Sequence, residues 1–304
     1  MSVAPSQACL LHFDDETAAA QRLGQAAQLP VKMIDRHRFP DGELKLRLPV
    51  DGAGRLPAHV MLLRSLHDPN EKLVELLLTA RAARTLGARH ITLVAPYMAY
   101  MRQDIAFAPG EVVSQQVVGA FLAGLVDAVI TVDPHLHRVA TLQEAMAVPQ
   151  AIVLSGAEPL ADLIAQRNPN ALLVGPDGES AQWIAQAAAR HGFDHAVCTK
   201  VRHGDRDVTI ELPPLHAQGR AVVLLDDMAS TGRTLAQAAR LLRAAGAASV
   251  DVAVTHALFA GDALQALHDA GVGEVWSTDC IPHASNAVPM AEPLAQALRS
   301  LLPA

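Results

Sequence analysis

The segment from Ala221 to Leu235, AVVLLDDMASTGRTL, carries two adjacent carboxylates, three hydroxyls and a glycine inside one strand-to-turn-to-helix pattern. Five apolar residues, Ala221 to Leu225, read as a buried parallel strand ending in the pair Asp226-Asp227. A short loop, Met228 to Arg233, then opens a helix at Thr234. Small residues, hydroxyls and Gly232 let backbone N–H groups converge on an anion where a helix begins. The two carboxylates accept hydrogen bonds from the vicinal hydroxyls of a sugar, so a diol and a phosphate are held at opposite ends of one loop, as a ribose 5-phosphate requires. A capped strand-to-helix turn would use some of the same residues. Strand, acidic pair, hydroxyl-rich turn and helix in register are far more specific than a lone Ser/Thr-Gly turn. No GxxxxGK[ST] run occurs, so this is not a P-loop.

Other chemistry-bearing residues follow apolar runs, where parallel sheets place their sites. Asp133 and His135 come after Ala128–Val132, Asp177 and Gly178 after Ala171–Val174, and Arg102, Gln103 and Asp104 after Ile91–Ala95 and Pro96. One histidine among 14 is weak alone; the adjacent carboxylate strengthens it. Lys200 and Arg202 share one face of a strand by period two. A surface Lys-x-Arg is ordinarily bland, but only four lysines occur, Lys32, Lys45, Lys72 and Lys200, which gives the position weight.

The elements that must position these residues alternate β-branched runs with 3.6-period segments, the signature of parallel α/β units. Strands are expected at 9–13, 31–35, 60–63, 91–95, 128–132, 151–154, 171–174, 196–201, 221–225, 250–255 and 274–277. Helices are expected at 70–86, 114–125, 159–166, 180–191, 234–244 and 262–270, with Ser114 and Ser180 as N-caps and Gly87 and Gly246 just past C-termini. LLLTARAARTLGARHITLV (76–94) resembles AQAARLLRAAGAASVDVAV (236–254), and VDAVITVDPH (126–135) echoes VGEVWSTDCIPH (272–283). An offset of about half the chain implies two similar α/β domains, 1–148 and 149–304, of about five parallel strands each. The last amphipathic stretch, Pro293–Leu302, has no strand after it and is free to pack on either domain.

The 304 residues are 51% hydrophobic, 18% charged and 3% aromatic, which excludes a disordered, collagenous or disulfide-stapled chain. Twenty-four basic against 31 acidic residues leave a net charge of −7 with no basic run, so neither nucleic acid nor a membrane is expected as a partner. Cys9, Cys198 and Cys280 have no zinc or disulfide spacing and fit a reducing compartment. With no signal peptide or membrane span, a soluble, cytoplasmic protein is expected.

VVLLDDMASTGRT resembles the phosphoribosyl pyrophosphate fingerprint of type I phosphoribosyltransferases and of ribose-phosphate pyrophosphokinase. RFPDGE (38–43), PYMAYMRQD (96–104), GEVVS (110–114), TVDPH (131–135) and Ile281-Pro282 resemble the pyrophosphokinase in the same order, over nearly the whole chain. GPDGESAQW (175–183) and the compact Lys200–Arg202 region are similar to its shorter, archaeal-like branch. The resemblance implies two tandem type I phosphoribosyltransferase-like domains, each a doubly wound, mainly parallel sheet, with the fingerprint only in the second. It implies transfer of the diphosphoryl group of ATP to ribose 5-phosphate, with Mg2+. Asp226, Asp227, Ser230, Thr231, Gly232 and Thr234 would hold ribose 5-phosphate, and Lys200 and Arg202 would be catalytic. Arg102, Gln103, Asp104 and His135 would bind ATP, and Asp133, His135 and Asp177 would serve the metal. Phe39, Asp41 and Glu43 would meet adenine from a neighbouring subunit, which implies a homo-oligomer.

Four features depart from that family. IAFAP follows Asp104 where basic residues are common, Ser230 replaces an Asp, Arg233 replaces a Gly, and only Arg206 remains as a cation in the short turn 203–206. Two other functions share the fingerprint: a catalytically weak regulatory homologue binding phosphoribosyl ligands, and a phosphoribosyltransferase.

Overall fold

The computed structural model describes residues 7–136, 138–202 and 208–302. In chain order the first half forms β1 (Ala8–His12), α1 (Thr17–Ala27), β2 (Val31–Met33), β3 (Asp35–Arg38), β4 (Leu44–Arg47), β5 (His59–Leu63), α2 (Pro69–Thr85), β6 (His90–Ala95), α3 (Ser114–Ala123), β7 (Ala128–Val132), α4 (Leu142–Ala145) and β8 (Gln150–Leu154). The second half forms α5 (Ala157–Arg167), β9 (Leu172–Gly175), α6 (Ala181–His191), β10 (His195–Val197), β11 (Thr199–Arg202), β12 (Val208–Glu211), β13 (Ala221–Ala229), α7 (Arg233–Ala244), β14 (Ser249–Ala257), α8 (Ala263–Asp269), β15 (Val275–Thr278), β16 (Asn286–Val288) and α9 (Ala291–Leu301).

Two parallel sheets result, ordered β2-β1-β5-β6-β7-β8 and β10-β9-β13-β14-β15-β16, with antiparallel hairpins β3-β4 and β11-β12 beside them. Each sheet has six strands rather than about five: β8, beyond the expected boundary at 148, joins the first, and the short edge strand β16 completes the second. Aliphatic strands such as HVMLL and AVITV are buried along their length, as strands covered on both faces must be. In the second sheet, Val222, Leu224 and Val252 pack under α7 and α8, while Leu173, Val223 and Ala253 pack under α5 and α6. This is the doubly wound arrangement.

The packing separates two units, residues through Leu154 together with those from Met290 on, and Ser155–Pro289. The first sheet runs past residue 148 because Gln150–Leu154 pairs with β7. α9 packs on α1 and so belongs to the first unit. The expected strand 196–201 is broken into β10 and β11 at buried Cys198, whose N–H donates to the Gly175 carbonyl at 2.8 Å. Neither expected serine caps its helix: α3 begins at Ser114 itself, and the Ser180 hydroxyl donates to the Asp177 carbonyl at 2.6 Å. Gly87 and Gly246 do sit just past α2 and α7 with φ of +110° and +87°. Among the described residues no helix is long and apolar enough to cross a membrane.

Candidate functional site

In the second unit the fingerprint extends further than its sequence suggests. β13 continues through Asp226 and Asp227 to Ala229, held in register with β14 by Asp226 opposite Val254 and Ala229 opposite Ala257. The loop is therefore only Ser230–Gly232, and α7 begins at Arg233. Gly232 has φ +67°, a conformation disfavoured for side chains bearing Cβ, and a Cβ there would approach the Ala263 carbonyl to 3.2 Å. The loop is braced from β14's far end: Phe259 N–H donates to Ala229 O at 2.8 Å and Ala260 N–H to Ser230 O at 2.9 Å. Those braces leave Ser230 and Thr234 half-buried and Thr231 exposed around the first turn of α7, whose leading N–H groups have no partner within the helix. Arg233 is exposed at this same helix start, where a cation is favourable only beside an anion.

Four carboxylates lie near one another at the ends of β9 and β13. Desolvation, then the charges of Asp227, Asp177 and Glu179, raise the Asp226 carboxyl well above the ordinary carboxylate range. The Asp227 N–H donates to Asp226 Oδ1 at 3.0 Å. Asp177 accepts from the Glu179 N–H at 3.0 Å, so it is this carboxylate, not Ser180, that caps the turn leading into α6. Its other oxygen meets Lys200 Nζ at 3.4 Å. Structure thus brings together Asp177, Lys200, Asp226, Asp227, the Ser230–Gly232 loop and the first residues of α7, all in one unit. Arg202 falls in β11 opposite Val208; its side chain and the turn 203–207, including Arg206, lie outside the described residues.

The remaining candidates lie in the first unit. Asp133 and His135 follow β7 with φ of +35° and +54°, left-handed backbone that non-glycine residues adopt at a cost and that clusters at functional loops. The buried Asp133 is fixed by its N–H donating to Leu154 O at 2.9 Å. After β6, Arg102 is exposed and the Gln103 amide donates to Ile105 O at 3.1 Å. Asp104 is a departure from expectation: its side chain is fully buried, and Oδ1 accepts from Arg138 at 2.6 Å. Arg138, which sequence reasoning missed, also lies over the Phe107 ring at 5.8 Å. It brings positive charge to the segment that lacks basic residues of its own.

Phe39, Asp41 and Glu43 form the tip of the β3-β4 hairpin. The Phe39 N–H donates to Glu43 O at 2.8 Å, and Asp41 Oδ1 accepts the Glu43 N–H at 3.1 Å, closing a turn around Gly42 at φ +94°. Phe39 stays exposed, edge-on to His37 at 5.0 Å. Among the described residues no three His, Cys, Asp or Glu side chains converge as metal ligands. A magnesium ion that keeps several waters and phosphate oxygens does not need three.

Residues 8–125 match the family described as the N-terminal domain of ribose phosphate pyrophosphokinase, and residues 149–293 match the phosphoribosyl transferase domain. A Methanopyrus kandleri protein named ribose-phosphate pyrophosphokinase is 36% identical over 284 residues, covering 92% of this chain and 95% of its own. A Methanosarcina acetivorans protein of the same name is 32% identical over 290 residues, covering 93% and 96%. The crystal structure of phosphoribosylpyrophosphate synthetase from Mycobacterium smegmatis shares the fold, with a TM-score of 0.80 at 24% identity over 97% of this chain and 98% of that one.

Proposed function

Because the chain belongs to the ribose-phosphate pyrophosphokinase family, we propose that it transfers the diphosphoryl group of ATP to the C1 hydroxyl of ribose 5-phosphate, releasing AMP and phosphoribosyl pyrophosphate. The observation that carries the reading is the single stretch in which Asp226 and Asp227 run straight into the Gly232-initiated helix, with Lys200 tied to Asp177 beside it.

The N–H groups opening α7, with the hydroxyls of Ser230, Thr231 and Thr234, take the 5-phosphate. Asp226 and Asp227 accept from the ribose hydroxyls and so aim C1. The C1 oxygen forms a bond to the β-phosphorus as the bond from that phosphorus to the α,β-bridging oxygen breaks. That oxygen leaves with AMP, and the hydroxyl proton passes to solvent. Lys200 and Arg202 offset the negative charge spread over the transferring phosphoryl oxygens. Arg102 and Gln103, with the strained Asp133–His135 loop, hold the nucleotide phosphates, and Asp104 acts through Arg138. Phe39, with Asp41 and Glu43, reaches the adenine of a neighbouring copy, so the working form is a homo-oligomer.

The carboxylates around Asp226 raise its proton affinity, and a divalent cation would relieve that repulsion. Mg2+ held at Asp177, and by Asp133 and His135 on the nucleotide side, would neutralise phosphate charge and orient the polyphosphate.

Incubating the full chain with ATP, magnesium chloride and ribose 5-phosphate tests the proposal. Equimolar AMP and phosphoribosyl pyrophosphate are expected; no AMP at any magnesium concentration overturns it. Diphosphate release from phosphoribosyl pyrophosphate on adding a nucleobase would instead make the chain a phosphoribosyltransferase.

A further inference from the structure

The two sheets share one strand order, so each position of the second unit's site has a counterpart in the first. β5 takes the place of β13, which sets His59–Leu63 on Ala221–Leu225 and Arg64-Ser65 on Asp226-Asp227. Strand register carries the match sideways: Leu10 pairs with Met61 as Leu173 pairs with Val223, which puts Asp14 at the place of Asp177 and Glu16 at that of Glu179. The hairpins agree as well. Arg36 lies opposite Leu46 as Lys200 lies opposite Ile210, so Arg36-x-Arg38 stands for Lys200-x-Arg202. Even the contact of Lys200 with Asp177 has its twin, Arg36 to Asp14 at 2.5 Å. α2 follows β5 as α7 follows β13, from a left-handed residue in each case, Asp68 at φ +50° and Gly232 at φ +67°.

Charge is what differs. The carboxylate pair that would take a sugar diol is gone, replaced by a guanidinium. At this place the first unit has a cavity of about 340 Å3 lined by Asp15, Arg36, Arg38, Arg64, Asp68, Glu71 and Lys72. Arg64 is 1% exposed; its Nη atoms reach Asp15, Glu16 and Glu75, while its buried Nε has no partner. The Asp68 side chain does not cap α2. Lys72 is buried with its Nζ donating to the Ser65 carbonyl at 2.7 Å; burial first, and then the Arg64 charge, push it down to about 8, which leaves the amine mostly cationic at neutral pH. Asp68 shares the wall with Asp15, which pairs with Arg64 and Arg36, and with Glu71, which pairs with Arg38, so hydrogen-bond donors rather than net charge would select the ligand.

We propose that this cavity is a second anion site, the first unit's counterpart of the sugar-phosphate loop, taking a phosphate dianion, free or as a sugar phosphate, on Arg36, Arg38, Arg64, Lys72 and the start of α2. The inference rests on reading the β13-α7 loop as a sugar-phosphate site, and its test separates the two. Hydrogen exchange of the full chain is followed in peptides spanning 34–39 and 64–72, and in one spanning 224–236, with inorganic phosphate or ribose 5-phosphate at about 10 mM. Slowed exchange at 34–39 and 64–72 is expected. Protection by both ligands identifies a phosphate reader, and protection by the ester alone a sugar-phosphate reader. Arg38→Met, at a half-exposed side chain, and Lys72→Met each remove one charged donor and should raise the ligand concentration needed by about tenfold, with the 224–236 response kept. No slowing at 34–39 and 64–72 with either ligand, or slowing undiminished in both variants, overturns the inference. Failure of ribose 5-phosphate to protect 224–236 overturns the loop reading instead.

Discussion

Replacing Arg64 with Met tests whether the first unit is held by its buried charges. Arg64 is 1% exposed, with Nη1 on Asp15 at 2.8 Å and Glu16 at 3.2 Å, and Nη2 on Glu75 at 2.5 Å. Breaking a buried ion network by removing one partner costs about 3–5 kcal/mol, because the others stay buried and uncompensated. Each carboxylate keeps one contact: Glu75 keeps Arg36 at 2.5 Å, Asp15 keeps Arg36 at 3.7 Å, and Glu16 keeps the Ser65 N–H at 2.6 Å. Methionine also fills much of the space. The low end is therefore expected, about 3 kcal/mol, or roughly 150-fold in an opening equilibrium. The loss should depend on pH. Burial pushes Glu16 up from 4.5 to about 7, although Arg64 pulls it down. A carboxyl raised on folding contributes stability that is full below its unfolded value of 4.5 and is lost as pH rises through about 7. Without Arg64 the Glu16 carboxyl rises further, so the variant loses more at pH 8 than at pH 5.5, and adding Glu16→Gln removes that difference. Both tryptophans, Trp183 and Trp276, lie in the second unit, so their fluorescence does not report on the first sheet. Hydrogen exchange in β1 and β5 does. Protection that changes by less than about threefold, or a loss equal at the two pH values once intrinsic rates are removed, refutes the reasoning.

Three further outcomes are expected. Gly232→Ala forces a Cβ into φ +67° and toward the Ala263 carbonyl, which should cost about 1–2 kcal/mol and raise KM for ribose 5-phosphate at least tenfold in steady-state assays, with KM for ATP little changed. Lys200→Ala should lower kcat by on the order of 100-fold while leaving the thermal midpoint within a degree or two, since its side chain is partly exposed and its contact with Asp177 is a long 3.4 Å. Arg138→Ala leaves the buried Asp104 carboxylate without its guanidinium; calorimetry should show a loss of about 1–3 kcal/mol that Asp104→Asn relieves.

The parallel sheets were legible because continuous runs such as VVLL and HITLV can only be buried on both faces. The hairpins were not. DRHR is charged and mostly exposed with no alternation, and LKLR alternates over only four residues, too short a run to mark a strand by itself. The ends of long strands misled for a related reason: Asp226 and Asp227 read as the close of β13, yet parallel pairing with β14 carries the backbone on to Ala229. Spacing revealed the acidic pair and the turn but not the contacts that set their chemistry. Lys200 reaches Asp177 across 23 positions and Arg138 reaches Asp104 across 34. The Arg64 network had a visible signal, an arginine directly after an apolar strand at the place where the other half has an aspartate.

The last helix shows how the duplication is completed. In the second unit α5 leads into β9 and packs on α6; in the first, the matching helix α1 is covered by α9, from the other end of the chain. α5 and α9 begin with the same five residues, AEPLA, at 157–161 and 291–295. They bury the same face: Leu160, Ala161 and Ile164 in one, Leu294, Ala295 and Leu298 in the other. A helix that follows the last strand and copies the one before the second unit's first strand has a single equivalent place to go, against α1. Repeats read only at one offset miss this, because the α5–α9 pair sits 134 residues apart while 76–94 and 236–254 sit 160 apart. The unit of duplication is thus helix plus sheet, with its first helix supplied to the first unit from the end of the chain. That places α9 among the elements that hold the back of the nucleotide-side sheet rather than in either candidate site.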